Sequence, residues 1–217
     1  MIGGVGLIGG PLRVKQVLAT PWTENYWPPG IKAGDLAVII NAAANSNLAT
    51  PSYAYPAGMT AAGGMTYNGA VVLCSRKTCD GTESGAYNAM SGSVGSDYLT
   101  FIFRAIRQGV VGAPISGSQV GTYSANDPAA QTVSAYAVNH PVIVLGYMSS
   151  HASTGSPTTQ RLTMSEFDRI DMRAGDLNLQ AGYKIFQKGS PAVTVDMPDI
   201  GARNLLVGLA FEVKKPA

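Results

Sequence analysis

The apolar runs of this chain are short, and nearly every one is closed by Gly, Pro, Asn or Ser. Short runs rich in Val, Ile, Tyr and Phe between turn residues read as strands, whereas a helix needs about a dozen residues at a 3.6-residue period. No segment offers that period at that length, so the chain reads as all-β. The predicted strands are 13–18, 35–41, 70–77, 98–106, 132–138, 142–149, 179–187, 192–195 and 205–213. Residues 165–173, with Ser165 as a cap and Phe167 and Ile170 three apart, read as a turn or a short helix.

Leu36 to Ile40 and Val142 to Leu145 are continuous apolar runs, which suits strands covered on both faces. Thr100 to Arg104 alternates instead. Short strands joined by long, small-residue loops predict a two-sheet antiparallel β-sandwich of jelly-roll or Greek-key type, with few or no helices. Lys32-Ala-Gly-Asp-Leu36 recurs as Arg173-Ala-Gly-Asp-Leu177. The strands at 98–104 and 205–212 are also alike, which suggests one domain over 13–217 built of two pseudo-halves, about 13–110 and 130–217. Asn126-Asp-Pro128, in the polar stretch 117–131, marks the expected crossover. Residues 1–12 read as a flexible Gly-rich arm, with Met1, Ile2, Val5, Leu7 and Ile8 as its apolar contact points.

Charge narrows the function. Fifteen Lys and Arg against 13 Asp and Glu give a formal charge of +2. The basic residues are scattered rather than gathered into the stripe that neutralises phosphates, so no direct nucleic-acid partner is expected. The uncharged stretch from Leu36 to Ser75 is broken throughout by Asn, Pro and Gly, which excludes a spanning helix. The N-terminus lacks the basic and long apolar regions of a secretory signal.

Residues that could carry chemistry are few. The nucleophile elbow G-x-S-x-G is absent. His151 follows Ser149 and Ser150, but neighbours on a strand face opposite sides, and His140 precedes Pro141 as a turn residue. The acidic residues Glu166, Asp168, Asp171 and Asp176 are interleaved with Arg169 and Arg173 and lack calcium-loop spacing, so they read as a self-compensated loop. Asp80-Gly81 and Thr82-Glu83 read as a turn. No enzyme, metal or cofactor is expected.

Cys74 and Cys79 have a C-x4-C spacing that fits neither the redox motif nor a zinc pair. A disulfide within or between subunits and two inert thiols both remain open. Flanking Arg76 and Lys77 would lower the thiol pKa, while opposite strand parity opposes a local bridge. Trp22, Tyr26 and Trp27, set among prolines, fit three roles: a plug on the end of the sandwich, a subunit contact, or a glycan-stacking platform joined by Tyr53, Tyr55 and Tyr67.

Ala33-Gly-Asp-Leu-Ala-Val-Ile39, Pro56-Ala-Gly-Met-Thr60, the run from Gly69 to Lys77 and Leu99-Thr-Phe-Ile-Phe-Arg104 resemble, in that order, a group of small tailed-bacteriophage virion proteins. The likeness continues through Pro141 to Leu145, Gly182-Tyr-Lys-Ile185 and Asn204 to Glu212. Met59 stands where the group has Trp or Phe, and the cysteine pair is not a feature of the group. The resemblance implies a β-sandwich head decoration, collar, fibre or tail accessory protein, made in the bacterial cytoplasm and located in the virion. Its implied partners are copies of itself and other virion proteins. An adhesin that binds host glycan is the alternative. No catalytic residue is implied. Low charge and a Gly-rich arm agree with surfaces that pack against neighbours.

Overall fold

The computed structural model describes residues 12–18, 23, 25–47, 49–52, 55–87, 95–106, 110–123, 129–134, 139–151, 162–173, 177–189, 191–197 and 203–215. Among them none is helical, and the strands form three antiparallel sheets. The first contains β1 (Arg13–Gln16), β2 (Asp35–Ala44), β3 (Thr60–Tyr67), β4 (Ala70–Thr78) and β5 (Gly95–Ile106) in the order β1-β5-β2-β4-β3. The second contains β6 (Val110–Tyr123), β8 (Val142–His151), β10 (Arg169–Arg173), β11 (Leu179–Phe186) and β13 (Arg203–Lys214), ordered β10-β11-β8-β13-β6. A third, small sheet places β12 (Ala192–Asp196) between β7 (Gln131–Ser134) and β9 (Thr163–Met164).

The two large sheets do not exchange strands, and each half of the chain builds one of them. Numbered within its own half, each sheet has the same strand order, third-fourth-second-fifth-first. The register agrees as well. Asp35 stands opposite Arg104 where β2 begins, and Val142 stands opposite Glu212 where β8 begins. The hairpins β3–β4 and β10–β11 each contain an Asn at positive φ, Asn68 and Asn178, a conformation that Asn tolerates better than most residues. The sequence echo therefore has a counterpart in topology. The repeated Ala-Gly-Asp-Leu segments nevertheless fall at different places: the first runs into β2, whose first residues are Asp35 and Leu36, and the second precedes β11.

Strand alternation sends one side of each large sheet into a shared core. Leu36, Val38 and Ile40 of β2 and Leu99, Phe101 and Phe103 of β5 meet Ile143, Leu145 and Tyr147 of β8 and Val207, Leu209 and Phe211 of β13. Within it Tyr183 lies edge-on to Phe101 and Phe103, with ring centroids 5.7 and 5.1 Å away. Val142, Val144 and Met148 of β8 face the other way, into a second core under the third sheet with Val133, Met164, Val193 and Val195. The apolar run of β8 is thus covered on both faces, the central sheet of a three-layer stack.

A row of glycines seats that third layer. Gly208 pairs with Gly146, which pairs with Gly182. A Cβ at these positions would sit 2.2 Å from Val133 Cγ2, 2.7 Å from Val195 Cγ1 and 2.9 Å from Met164 Sδ, respectively, all three on the third sheet. Thr100, Ile39 and Ser75 form the matching row across β5, β2 and β4. There the cover is a loop, described below.

Four strands were not predicted: β3, β6, β9 and β10. Residues 169–173 are not helical but an edge strand paired with β11, because alternation along the edge of a sheet overrides the local helical spacing. The polar stretch expected to cross over at 117–131 is strand as far as Tyr123, held along its length by β13. The chain changes sheet earlier, between Ile106 and Val110. Asn126 to Pro128 and the arm residues Met1, Ile2, Val5, Leu7 and Ile8 lie outside the described residues.

Candidate functional site

Of the residues singled out from sequence, Trp27, Cys79 and the turn at 80–83 meet on the outer face of the first sheet, where two loops cover it. The first turns at Lys32 to Asp35. Asp35 Oδ2 accepts from Lys32 N at 2.9 Å, and both carboxylate oxygens accept from Arg104 at 2.6 Å. Asp35 is 1% exposed, so this forked pair is a buried anchor for the start of β2. The second loop leaves β4 through Cys79, whose N–H donates to Asp35 O at 2.7 Å and whose carbonyl accepts from Gly34 N at 2.8 Å. The loops touch so closely that a Cβ on Gly81, which has φ +90°, would lie 2.9 Å from Ala33 N.

Residues 80–83 form the predicted turn. Asp80 Oδ1 accepts from Thr82 N at 2.8 Å and Thr82 Oγ1 at 2.6 Å, while Glu83 accepts from the backbone of Asp80 and Gly81. Lys77 Nζ reaches Glu83 at 2.7 Å and stands 5.5 Å from the centre of the Trp27 ring. Desolvation raises the Glu83 pKa, but the Lys77 and backbone hydrogen bonds outweigh it and hold the carboxyl below its ordinary value. Glu212, with His140 Nε2 at 3.1 Å and Lys214 Nζ at 2.5 Å, is likewise depressed against desolvation. A depressed carboxylate contributes stability above its unfolded pKa, which is lost as pH falls through the folded value. The expected result is a melting temperature that is steady above about pH 5 and declines below the ordinary Glu value of 4.5. Glu83→Gln should flatten that acid slope, and calorimetry against pH checks it.

Trp27 is half-buried. Its backbone N–H donates to Gly85 O at 3.0 Å, and Tyr87 N donates to Asn25 O at 2.9 Å, on either side of a bridge between Tyr26 and Ala86. The indole lies 5.5 Å from Tyr87, edge-on, and packs over Ile39 and Met59 on one side and Ala37 and Ile102 on the other. The Tyr87 hydroxyl hydrogen-bonds Thr100 Oγ1 at 3.0 Å. Trp27 thus covers the sheet, while Tyr26 is 42% exposed. Trp22 and Tyr53 lie outside the described residues. Sequence reasoning missed Tyr87, Tyr98, Lys77 and Glu83 as members of this cluster, because only the folded loops bring them to Trp27.

The ring that Cys74 and Cys79 could have closed is not formed: both are free thiols, buried in different layers. Cys74 faces the core between the large sheets, and Cys79 faces the loop cover. Nor is either thiol activated by its basic neighbours. Desolvation dominates, pushing Cys79 up to about 12 and Cys74 further still. The remaining candidates are engaged in holding the fold. Ser150 Oγ donates to Asn204 Oδ1 at 2.9 Å, and Ser149 Oγ to Leu177 O at 3.3 Å. Asp168 accepts from Lys184 Nζ at 3.0 Å and Ile185 N at 2.8 Å, and Asp171 pairs with Arg169. Glu166 is exposed, Asp176 lies outside the described residues, and nothing is described of the His151 side chain. Among the described residues no cluster of His, Cys, Asp or Glu is placed to hold a metal, and no helix is long and apolar enough to cross a membrane.

No family model matches the chain, and no curated protein or solved structure does.

Proposed function

We propose that this protein is a structural component of a tailed-bacteriophage virion, a head decoration, collar, fibre or tail accessory subunit that acts by assembly and not by catalysis. The observation that carries the reading is where the reactive side chains are spent. Ser149, Ser150, Asp35 and Asp168 hold strands and turns together, and Cys74 and Cys79 are buried with raised pKa values. A layered β-fold with few charges suits a subunit packed among neighbours, and the resemblance from Lys32 onward points the same way. Its partners are further copies of the chain and other virion proteins. Mass spectrometry of purified particles is expected to find the chain at a fixed stoichiometry, and deletion of residues 1–10 to reduce its incorporation. Absence of the chain from the particles would overturn the proposal.

A second reading, a glycan-binding adhesin module, is favoured by one observation: the exposed Tyr26 ring beside Trp27. Against it, the Lys77 ammonium already stands over the indole. On the assembly reading Trp27→Ala lowers stability by about 2 kcal/mol through lost packing, and a glycan array shows no binding by wild type. Array binding that the substitution abolishes, with the fold intact, would favour the adhesin.

A further inference from the structure

The outer surfaces of the first and third layers carry opposite charge. In the third sheet β12 alternates, burying Val193 and Val195 and turning Asp196 out to solvent. Beside it the loop 165–168 exposes Glu166, Phe167 and Asp168. β7, β9, β12 and this loop contain no Lys or Arg. Lys184 of β11 pairs with Asp168 at 3.0 Å, and Arg169, which follows the loop, is engaged by Asp171, so Glu166 and Asp196 face solvent as negative charges.

The first sheet is basic on its outer side near β1. Val14 enters the core, so Arg13 and Lys15 face away from it, and Lys32 is exposed in the turn before β2. Lys15 stands directly opposite Arg104 across β1 and β5, a like-charge pairing that is destabilising unless an anion offsets it. Asp35 is committed to the Arg104 guanidinium and the Lys32 N–H, and exposed Asp80 in the adjoining loop accepts from Thr82. Beside β1, Val17 and Ile31 lie over Ile102 and are only partly buried.

The loop 165–168 is fixed at both ends. Ser165 N–H donates to Thr194 O and Thr194 N–H to Ser165 Oγ, both at 2.9 Å, while Asp168 N–H donates to Tyr183 O at 2.8 Å. Between these anchors Phe167 is 51% exposed, whereas Phe101, Phe103 and Phe211 are fully buried. An aromatic side chain on a loop that is already ordered loses little entropy on docking.

We propose that the third-layer face of one copy docks on the first-sheet face of the next, with Phe167 against Val17 and Ile31, and Glu166 and Asp196 toward Lys15 and Lys32. The occupant is a second copy of this chain because one molecule carries both complementary faces, on opposite sides of its three-layer stack. Such a contact is head-to-tail, so its repetition gives a ring or a filament. The proposal rests on the assembly reading, for which it names a contact. The two fail separately, because the contact is read on purified protein and the assembly reading on particles.

The test is sedimentation of the full chain carrying either Phe167→Ala with Glu166→Lys, which blunts the projecting face, or Lys15→Glu, which reverses the receiving one. Wild type should form oligomers whose mass falls as salt screens the contact, and each variant alone should sediment as a monomer. Mixed in equal amounts, the two variants should give particles of twice the monomer mass and no larger, because a mixed pair has one intact contact and no second. The salt series on wild type covers the case in which a variant does not fold. A wild-type monomer, an oligomer unaffected by salt, variants that keep the wild-type mass, or a mixture of folded variants that stays monomeric would overturn the proposal.

Discussion

Gly208→Ala is expected to lower stability by about 3 kcal/mol, although it adds a single methyl group to a strand. The new Cβ would lie 2.2 Å from Val133 Cγ2. A β-branched side chain has little rotamer freedom with which to retreat, and Val133 is fully buried on β7, which is paired with β12 in the third sheet. Relief therefore requires the third sheet to lift from the second, opening the core around Val195 and Met164. For a chain of this size about 3 kcal/mol corresponds to roughly 10 °C in melting temperature. Urea denaturation of the single variants and of Gly208→Ala with Val133→Ala measures the coupling. If the steric account holds, removal of the valine methyls recovers a substantial part of the loss. A Gly208→Ala cost below about 1 kcal/mol would show that the layer is not seated on the glycine row.

Arg104→Met should cost about 3 kcal/mol by a different mechanism. Asp35 is 1% exposed and accepts two 2.6 Å hydrogen bonds from the guanidinium. A methionine would preserve much of the packing while leaving a buried carboxylate with the Lys32 N–H as its remaining donor in the turn. The penalty comes chiefly from the unpaired charge, so Arg104→Met combined with Asp35→Asn should be less destabilised than Arg104→Met alone. Chemical denaturation of the two single variants and the double variant tests this. Equal losses for the single Arg104 variant and the double would remove charge desolvation as the cause.

Strands with strong local signals were legible in the sequence. β2, β4, β5, β8, β11 and β13 lie where β-branched and aromatic runs meet turn residues, and their predicted ends fall close to the observed ones. β3 and β6 were not legible. Thr-Ala-Ala-Gly-Gly and Ser-Gly-Ser-Gln have weak strand preference alone, and pairing with β4 and β13 supplies what local preference lacks. The candidate site shows the same division. Trp27 was recognisable as an unusual residue, but its packing against Tyr87 and its ammonium neighbour depend on loops that meet only after β2 and β4 have paired.

The sequence by itself determined the all-β class and the face that most strong strands bury, because side-chain direction alternates with a period of two whatever the partner. It also carried a trace of the repeat. The tertiary structure alone decided that the halves become separate sheets, that a third layer rests on Gly208, Gly146 and Gly182, and that Cys74 and Cys79 stay apart as thiols. These depend on contacts between residues far apart in the chain. A glycine has the same local signal whether it faces solvent or receives a valine from another sheet.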